Sequence, residues 1–144
     1  MRLLSGDLLP KPSEGARVPG IDECLSQAME IAGARGASLI DWSSGLALGA
    51  AGDSPNGDHE AVAAEATDLL RAAADSPTFA DENDVRIPLQ DIIVTGGRSY
   101  HLFCFVSTVF DSRLALHLWL DRADGNLAGA RYRLQALAEE LVLA

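Results

Sequence analysis

The pattern of apolar and polar positions is clearest between residues 85 and 142, where it predicts three strands followed by one helix. The pair Gly96-Gly97 separates the first two strands, and a glycine turn this short joins antiparallel neighbours. The helix begins after Asn126, a residue type that favours helix caps. The four elements are predicted at Val85–Thr95, Ser99–Ser107, Arg113–Asp121 and Leu127–Val142.

The second and third of these strands are apolar on both faces. Alternate residues of a strand point to opposite sides of a sheet, and a sheet with one wet face therefore alternates apolar and polar residues. One face of the second strand carries Tyr100, Leu102, Cys104 and Val106, and its other face carries His101, Phe103 and Phe105. One face of the third strand carries Leu114, Leu116, Leu118 and Leu120, and its other face carries Ala115, His117 and Trp119. We therefore expect both faces of the sheet to be covered, by helices or by a partner.

The first half of the chain predicts a helix, a hairpin and a second helix with Asp58 as its N-cap. Residues 1–20 hold three prolines and three glycines without periodicity, so we expect a flexible arm there and one domain over residues 21–144. The elements are predicted at Ile21–Gly33, Ala37–Ile40, Leu46–Ala50 and His59–Ala74. The element order is thus helix, two strands, helix, three strands, helix.

Two features predict that the chain associates with a second copy. Pro88 has no N–H for a ladder hydrogen bond, so its strand suits an edge position or a bulge and not the centre of a sheet. An edge strand is protected when it pairs with the same edge of another copy. The second helix is rich in alanine, and small side chains permit close approach of two helices, although the high helix propensity of alanine explains this composition equally well. The predicted dimer interface comprises Ala66, Leu69, Ala73, Ile87, Pro88 and Leu89.

Charge and composition narrow the classes of function. The net charge is −10, and residues 37–84 carry ten acidic side chains against one basic. We therefore expect binding neither to nucleic acid nor to anionic membranes. No apolar run is long enough to predict membrane insertion. Cys24 and Cys104 lie in apolar segments, which is typical of buried reduced thiols and predicts a cytoplasmic protein.

Sequence motifs for catalysis are absent. The chain has no G-x-x-x-x-G-K-[ST] loop for nucleotide phosphates, no G-x-S-x-G elbow and no C-x-x-C pair. His101 and Cys104 are three residues apart in a predicted strand, so they face opposite sides and do not suit a shared metal. We therefore predict that the protein is not an enzyme, with no catalytic residues, no cofactor and no metal site.

Several stretches resemble the Roadblock / dynein light chain family, including its bacterial MglB-like members. "GASLIDWSSGLALG" resembles the family's first hairpin, and "DIIVTGGRSYHLFCFV" resembles its third and fourth strands. "LALHLWLDRADGNLAGARYRL" resembles its fifth strand and the entry to its last helix. The resemblance covers about residues 21–142. It implies an α+β fold of Roadblock/profilin-like build, a five-stranded antiparallel sheet flanked by helices on both faces in the order α-β-β-α-β-β-β-α.

The resemblance also implies a function. Family members bind Ras-like small GTPases, as homodimers or with a Roadblock paralogue, and promote GTP hydrolysis or place the GTPase. By resemblance, this chain is a non-catalytic regulator of a bacterial Ras-like small GTPase. We predict that the polar residues Glu60, Asp68 and Arg71 of the second helix contact that GTPase.

Two alternatives remain open. One is a pure scaffold subunit with the same fold and no effect on hydrolysis. The other is a ligand-sensing module of profilin-, PAS- or GAF-like build, which the aromatic and histidine side chains of one sheet face favour.

Overall fold

A five-stranded antiparallel sheet lies between three helices. The computed structural model describes residues 20–80, 89–106 and 113–143. Its elements are α1 (Ile21–Ala28), β1 (Ala34–Asp41), β2 (Leu46–Gly52), α2 (His59–Ala74), β3 (Asp91–Thr95), β4 (Ser99–Val106), β5 (Leu114–Asp121) and α3 (Leu127–Leu143). The strand order is β2-β1-β5-β4-β3, and all four pairings are antiparallel. The predicted α+β fold and its element order are confirmed.

Helices cover both faces of the sheet, as the apolar residues on both sides of β4 and β5 predict. On one face, α1 and α3 pack over a leucine-rich core that includes the four leucines of β5. On the other face, α2 packs over a smaller core. The sheet contributes Ile40, Phe103, Phe105 and Ala115 to this smaller core, the turn after β1 contributes Trp42, and α2 contributes Ala63, Ala66, Leu70 and Ala74.

The first helix is shorter than its sequence pattern predicts. It ends at Ala28 and not at Gly33, and the backbone then forms turns in which N–H groups donate to carbonyls three residues back. Gly33 has a φ of +87°, and its carbonyl accepts a hydrogen bond from the Asp121 N–H at 2.8 Å. This contact with the end of β5 outweighs the helical periodicity, and it leaves Ala32, which the pattern assigns to the apolar face, exposed.

The second helix has the predicted bounds but a rotated buried face. Asp58 is its N-cap, since Oδ1 accepts a hydrogen bond from the Glu60 N–H at 3.0 Å. Val62, Leu69 and Ala73, which the periodicity assigns to the core, flank the buried side instead. That side consists of Ala63, Ala66, Thr67, Leu70 and Ala74. An alanine-rich helix offers two adjoining apolar stripes, and the spacing alone does not distinguish them.

Within the described residues the edge strand β3 begins at Asp91, so residues 89 and 90 of the predicted strand over Val85–Thr95 lie outside it. Residues 81–88, which include Ile87 and Pro88, lie outside the described residues. From Asp91 to Thr95 the strand pairs with β4, and it ends the strand order of the sheet. The predicted edge position of this strand is therefore confirmed.

Removal of the Asp58 cap is expected to destabilise the domain measurably. Asp58→Ala leaves the Glu60 N–H without its acceptor and should lower the free energy of unfolding by about 1 kcal/mol. Asp58→Asn retains an acceptor oxygen and serves as the matched control. Urea unfolding followed by circular dichroism measures both variants, and equal losses in the two would show that the cap hydrogen bond does not matter.

Candidate functional site

A groove lies between α2 and the outer strands of the sheet face that α2 covers. The helix lies chiefly over β1 and β2, so the β3–β4 side of this face extends beyond it. The groove has a volume of about 470 Å³. Its lining comes from α2 (Val62, Glu65, Ala66, Leu69), from the sheet (Val94, His101, Phe103, His117) and from the preceding loop (Pro55, Asn56).

The two sides of the groove expose apolar side chains to solvent. Leu69 on α2 is 39% exposed, and Val94 on β3 is 40% exposed. Ile92, which shares the face of Val94, and Val62 on the helix are half-buried beside them. Burial of apolar surface contributes a favourable free energy of about 25 cal/mol per Å². Apolar side chains that are exposed beside the last strand of the sheet, as these are among the described residues, form a surface suited to a protein partner.

Two histidines in direct contact form part of the sheet side of the groove. The Nδ1 atom of His101 on β4 lies 2.9 Å from the Nε2 atom of His117 on β5. The register pairs His101 with Trp119 and Phe103 with His117, so the two histidines are diagonal neighbours. One nitrogen of this contact donates and the other accepts, so two neutral rings hold a single proton between them.

Burial keeps both rings uncharged near neutral pH. Burial lowers the pKa of His117 to about 3, and the positive charges of His101 and His59 act in the same direction. Burial also lowers the pKa of His101. As the pH falls below 6.5, the unfolded chain therefore binds protons that the folded chain does not bind. We therefore expect the stability contributed by His117 to be complete above about pH 6.5 and to decrease as the pH falls towards 3.

The histidine pair is the middle of a stack of rings that alternate between the neighbouring strands β5 and β4. Trp119, His101, His117 and Phe103 follow one another with interplanar angles of 8°, 18° and 10°. The guanidinium carbon of Arg35 lies 4.3 Å from the Trp119 ring centroid at one end. Stacking fixes the planes of the rings and so holds the two facing nitrogens in place.

Comparison with known proteins finds similarity in structure. By sequence, no family model and no curated protein matches the chain. Myxococcus xanthus MglB has a TM-score of 0.72 at 18% identity, over 87% of this chain and 94% of that one. A Roadblock/LC7 domain from Streptomyces avermitilis has a TM-score of 0.62 at 18% identity, over 83% and 92%. An MglB with a tetrameric arrangement has a TM-score of 0.61 at 22% identity, over 88% and 93%. The chain has the Roadblock fold.

In this Roadblock fold, only part of the predicted dimer interface lies at the groove. Leu69 forms an exposed wall, and Ala66 lies deeper in the lining. Ala73 and Leu89 are half-buried, and Ile87 and Pro88 are not among the described residues. The predicted interface does not include Val94. The signal for it in the sequence is its spacing of two residues from Ile92, which places both apolar side chains on the same face of the strand.

The three predicted GTPase contacts on α2 have different surroundings. The Nε–H of Arg71 donates to the Trp42 carbonyl at 3.0 Å, and its terminal NH2 donates to the Ser43 carbonyl at 2.6 Å. The Glu60 Oε1 accepts from a backbone N–H of β2 at 3.4 Å. Asp68 is exposed. Arg71 and Glu60 thus tie α2 to the β1–β2 hairpin, whatever further contacts they make.

The chemistry available among the described residues is limited. Within residues 20–80, 89–106 and 113–143, no three His, Cys, Asp or Glu side chains are grouped to hold a metal ion. Both cysteines are free and buried, and burial raises the pKa of Cys24 to about 11 and of Cys104 to about 12. Neither thiol is therefore an activated nucleophile. In the same part of the chain, no helix has the length and apolarity needed to cross a membrane.

An ion pair anchors the edge strand from the sheet face opposite the groove. Asp91 at the start of β3 accepts hydrogen bonds from the Arg131 guanidinium on α3. Asp91 is opposite Cys104 in the β3–β4 register, which places both on the α3 side. This contact, 40 residues apart in sequence, holds β3 against the domain and leaves its other face to the groove.

Replacement of Arg71 is expected to weaken the fold itself. Arg71→Met keeps the length of the side chain but removes both hydrogen bonds to the hairpin carbonyls, which should cost about 1–2 kcal/mol of unfolding free energy. The matched control on the same helix is Asp68→Asn, for which we expect a change within about 0.5 kcal/mol. Chemical denaturation measures both, and an Arg71→Met protein as stable as wild type would show that these bonds contribute nothing.

Proposed function

We propose that this protein is a non-catalytic regulator of a bacterial Ras-like small GTPase, acting in the cytoplasm as a homodimer. The observation that carries the proposal is the likeness to MglB over nearly the whole of both chains. The sequence resemblance to Roadblock proteins implies the GTPase partner. The lack of a P-loop in the sequence agrees with a protein that regulates a GTPase and does not bind the nucleotide phosphates in that way.

The surface that supports dimerisation is the apolar strip along α2, together with Val94 of the edge strand β3 on the other side of the groove. Val62, Ala66, Leu69 and Ala73 follow one another at three- and four-residue spacing on this side of the helix. If two copies pair their β3 edges about a two-fold axis, α2 of each copy comes to lie over the groove of the other. This arrangement would bury Leu69 and Val94 and satisfy the free edge of the strand.

In the proposed complex, the GTPase binds the solvent side of the paired α2 helices. Asp68 lies there, on the helix that carries three of the ten acidic side chains of residues 37–84. The dimer would act by positioning residues of the GTPase itself, since the sequence contains none of the catalytic motifs sought. A pure scaffold would bind in the same way without altering the rate of hydrolysis.

A charge in the groove is expected to separate the dimer. Leu69→Asp places a carboxylate on the proposed interface, and we expect the mass in solution to fall from about twice the 15.2 kDa of one chain to that of one chain. Tyr132→Asp is the matched control, because Tyr132 is 78% exposed on α3, on the other side of the sheet. Light scattering measures both. A Leu69→Asp protein that stays dimeric would place the interface elsewhere.

The effect on the GTPase is tested with the Ras-like small GTPase encoded nearest to the gene of this protein. We expect GTP hydrolysis to accelerate with added protein and to saturate at two chains per GTPase, with no acceleration by the Leu69→Asp protein. Binding to the GDP-bound and GTP-bound forms is measured alongside. Binding without acceleration would identify a scaffold, and binding to neither form would contradict the proposal.

The groove itself favours a second candidate, a ligand-sensing module. Its volume of about 470 Å³ and its lining by His101, Phe103 and His117 suit a small aromatic or polar compound. Mass spectrometry of the purified protein under native conditions tests this candidate. A bound small molecule that is lost in His101→Ala would favour the sensor, whereas an empty groove covered by a second copy would favour the dimer.

A further inference from the structure

We propose that the His101–His117 pair makes dimerisation sensitive to protons, so that acidification separates the two copies. This inference rests on the homodimer of the proposed function and adds a mode of regulation to it. It requires three things: a site for the added proton, a difference in burial between monomer and dimer, and surroundings that do not neutralise the new charge.

The two rings differ in their access to solvent. His117 is 4% exposed, whereas His101 is half-buried and lines the open groove with Leu69 and Val94. A second copy that covers Leu69 and Val94 would also cover His101. The monomer therefore leaves one histidine of the pair in contact with water, and the dimer removes that contact.

The geometry of the pair determines where a proton can be added. The contact between His101 Nδ1 and His117 Nε2 holds one proton already. The next proton is taken up on the outer nitrogen of His101, which becomes an imidazolium that still donates from Nδ1 to His117. A second added proton would place two donors face to face across 2.9 Å and break the contact. The first step alone puts a positive charge in the groove.

Among the residues that the structure describes, the groups that face the pair do not offset this charge. From β1, Ser38 is the neutral partner of His117, and Arg35 adds a positive charge at the Trp119 end of the stack. From α2, His59 opposes a charge on His117, and Glu65 lines the groove but is itself exposed.

The edge strand offers no compensating charge either. From β3, Val94 lies opposite His101 and is apolar. Burial, and not a neighbouring charge, is what lowers the pKa of His101. Further burial under a second copy therefore acts in the same direction, and the dimer binds fewer protons than two separate chains.

The dissociation constant of the dimer, measured between about pH 5.5 and 8 by sedimentation equilibrium on the full chain, tests the proposal. We expect a constant value at the alkaline end and weaker association as the pH falls. In the limit, dissociation of the dimer takes up one proton for each chain, so the dissociation constant rises about a hundredfold for each pH unit of acidification. Far-UV circular dichroism at each pH confirms that the chains remain folded.

His101→Gln is the decisive variant. The glutamine amide can donate to His117 Nε2 as His101 does, yet it does not take up a proton in this range. We expect a dimer whose dissociation constant no longer changes with pH. His59→Gln removes the other histidine of this region, which lies outside the groove lining, and should keep the wild-type slope.

Two results would overturn the inference while leaving the dimer in place. One is a wild-type dissociation constant that does not change with pH, and the other is an unchanged slope in His101→Gln. A wild-type protein that is monomeric at every pH would overturn both the dimer and its regulation. Ring resonances of His101, titrated by NMR above and below the dissociation constant, provide a check without any substitution. A lower pKa in the dimer supports the proposal, and equal values contradict it.

Discussion

The structure depends on the burial of β5 on both faces at once. Its leucines meet α1 and α3 on one side, and β1 and β4 flank it in the sheet. Each buried leucine side chain contributes roughly 1.5–3 kcal/mol, so this strand supplies much of the main core. Its other face carries Ala115, His117 and Trp119, which are small or partly polar. Two helices pack on the leucine face, whereas one helix packs on the other face and leaves a groove beside it.

Much of the fold could be predicted because its signals are local. Alternation over two residues gave the faces of β4 and β5, and Asp58 marked the start of α2. The end of α1 could not be predicted in this way, since it depends on a hydrogen bond between Gly33 and Asp121 at the far end of the sheet. The buried face of α2 could not be predicted correctly, because its alanines fit a buried position as well as a position at the edge of the core. The order of the strands within the sheet was not predicted, because periodicity carries no information about it.

The groove was less predictable than the fold. The sequence placed His101 and His117 on one sheet face, but their contact requires the β4–β5 register, which makes them diagonal neighbours. The anchoring role of Arg71 was equally hidden, because its partners are backbone carbonyls that any residue would provide. Such contacts give no signature in side-chain type. They are found only when the distance between two elements is known.

The strand order also sets the sequence of events by which this domain can be made. β1 pairs with β5, so that Ser38 lies opposite His117 although the two residues are far apart in sequence. On the ribosome, the β1–β2 hairpin and α2 emerge well before their central neighbour exists. Until β5 has left the exit tunnel, β1 has only one of its two neighbouring strands. Long-range closure of this kind slows folding, and it gives chaperones a defined interval in which to act on the nascent chain.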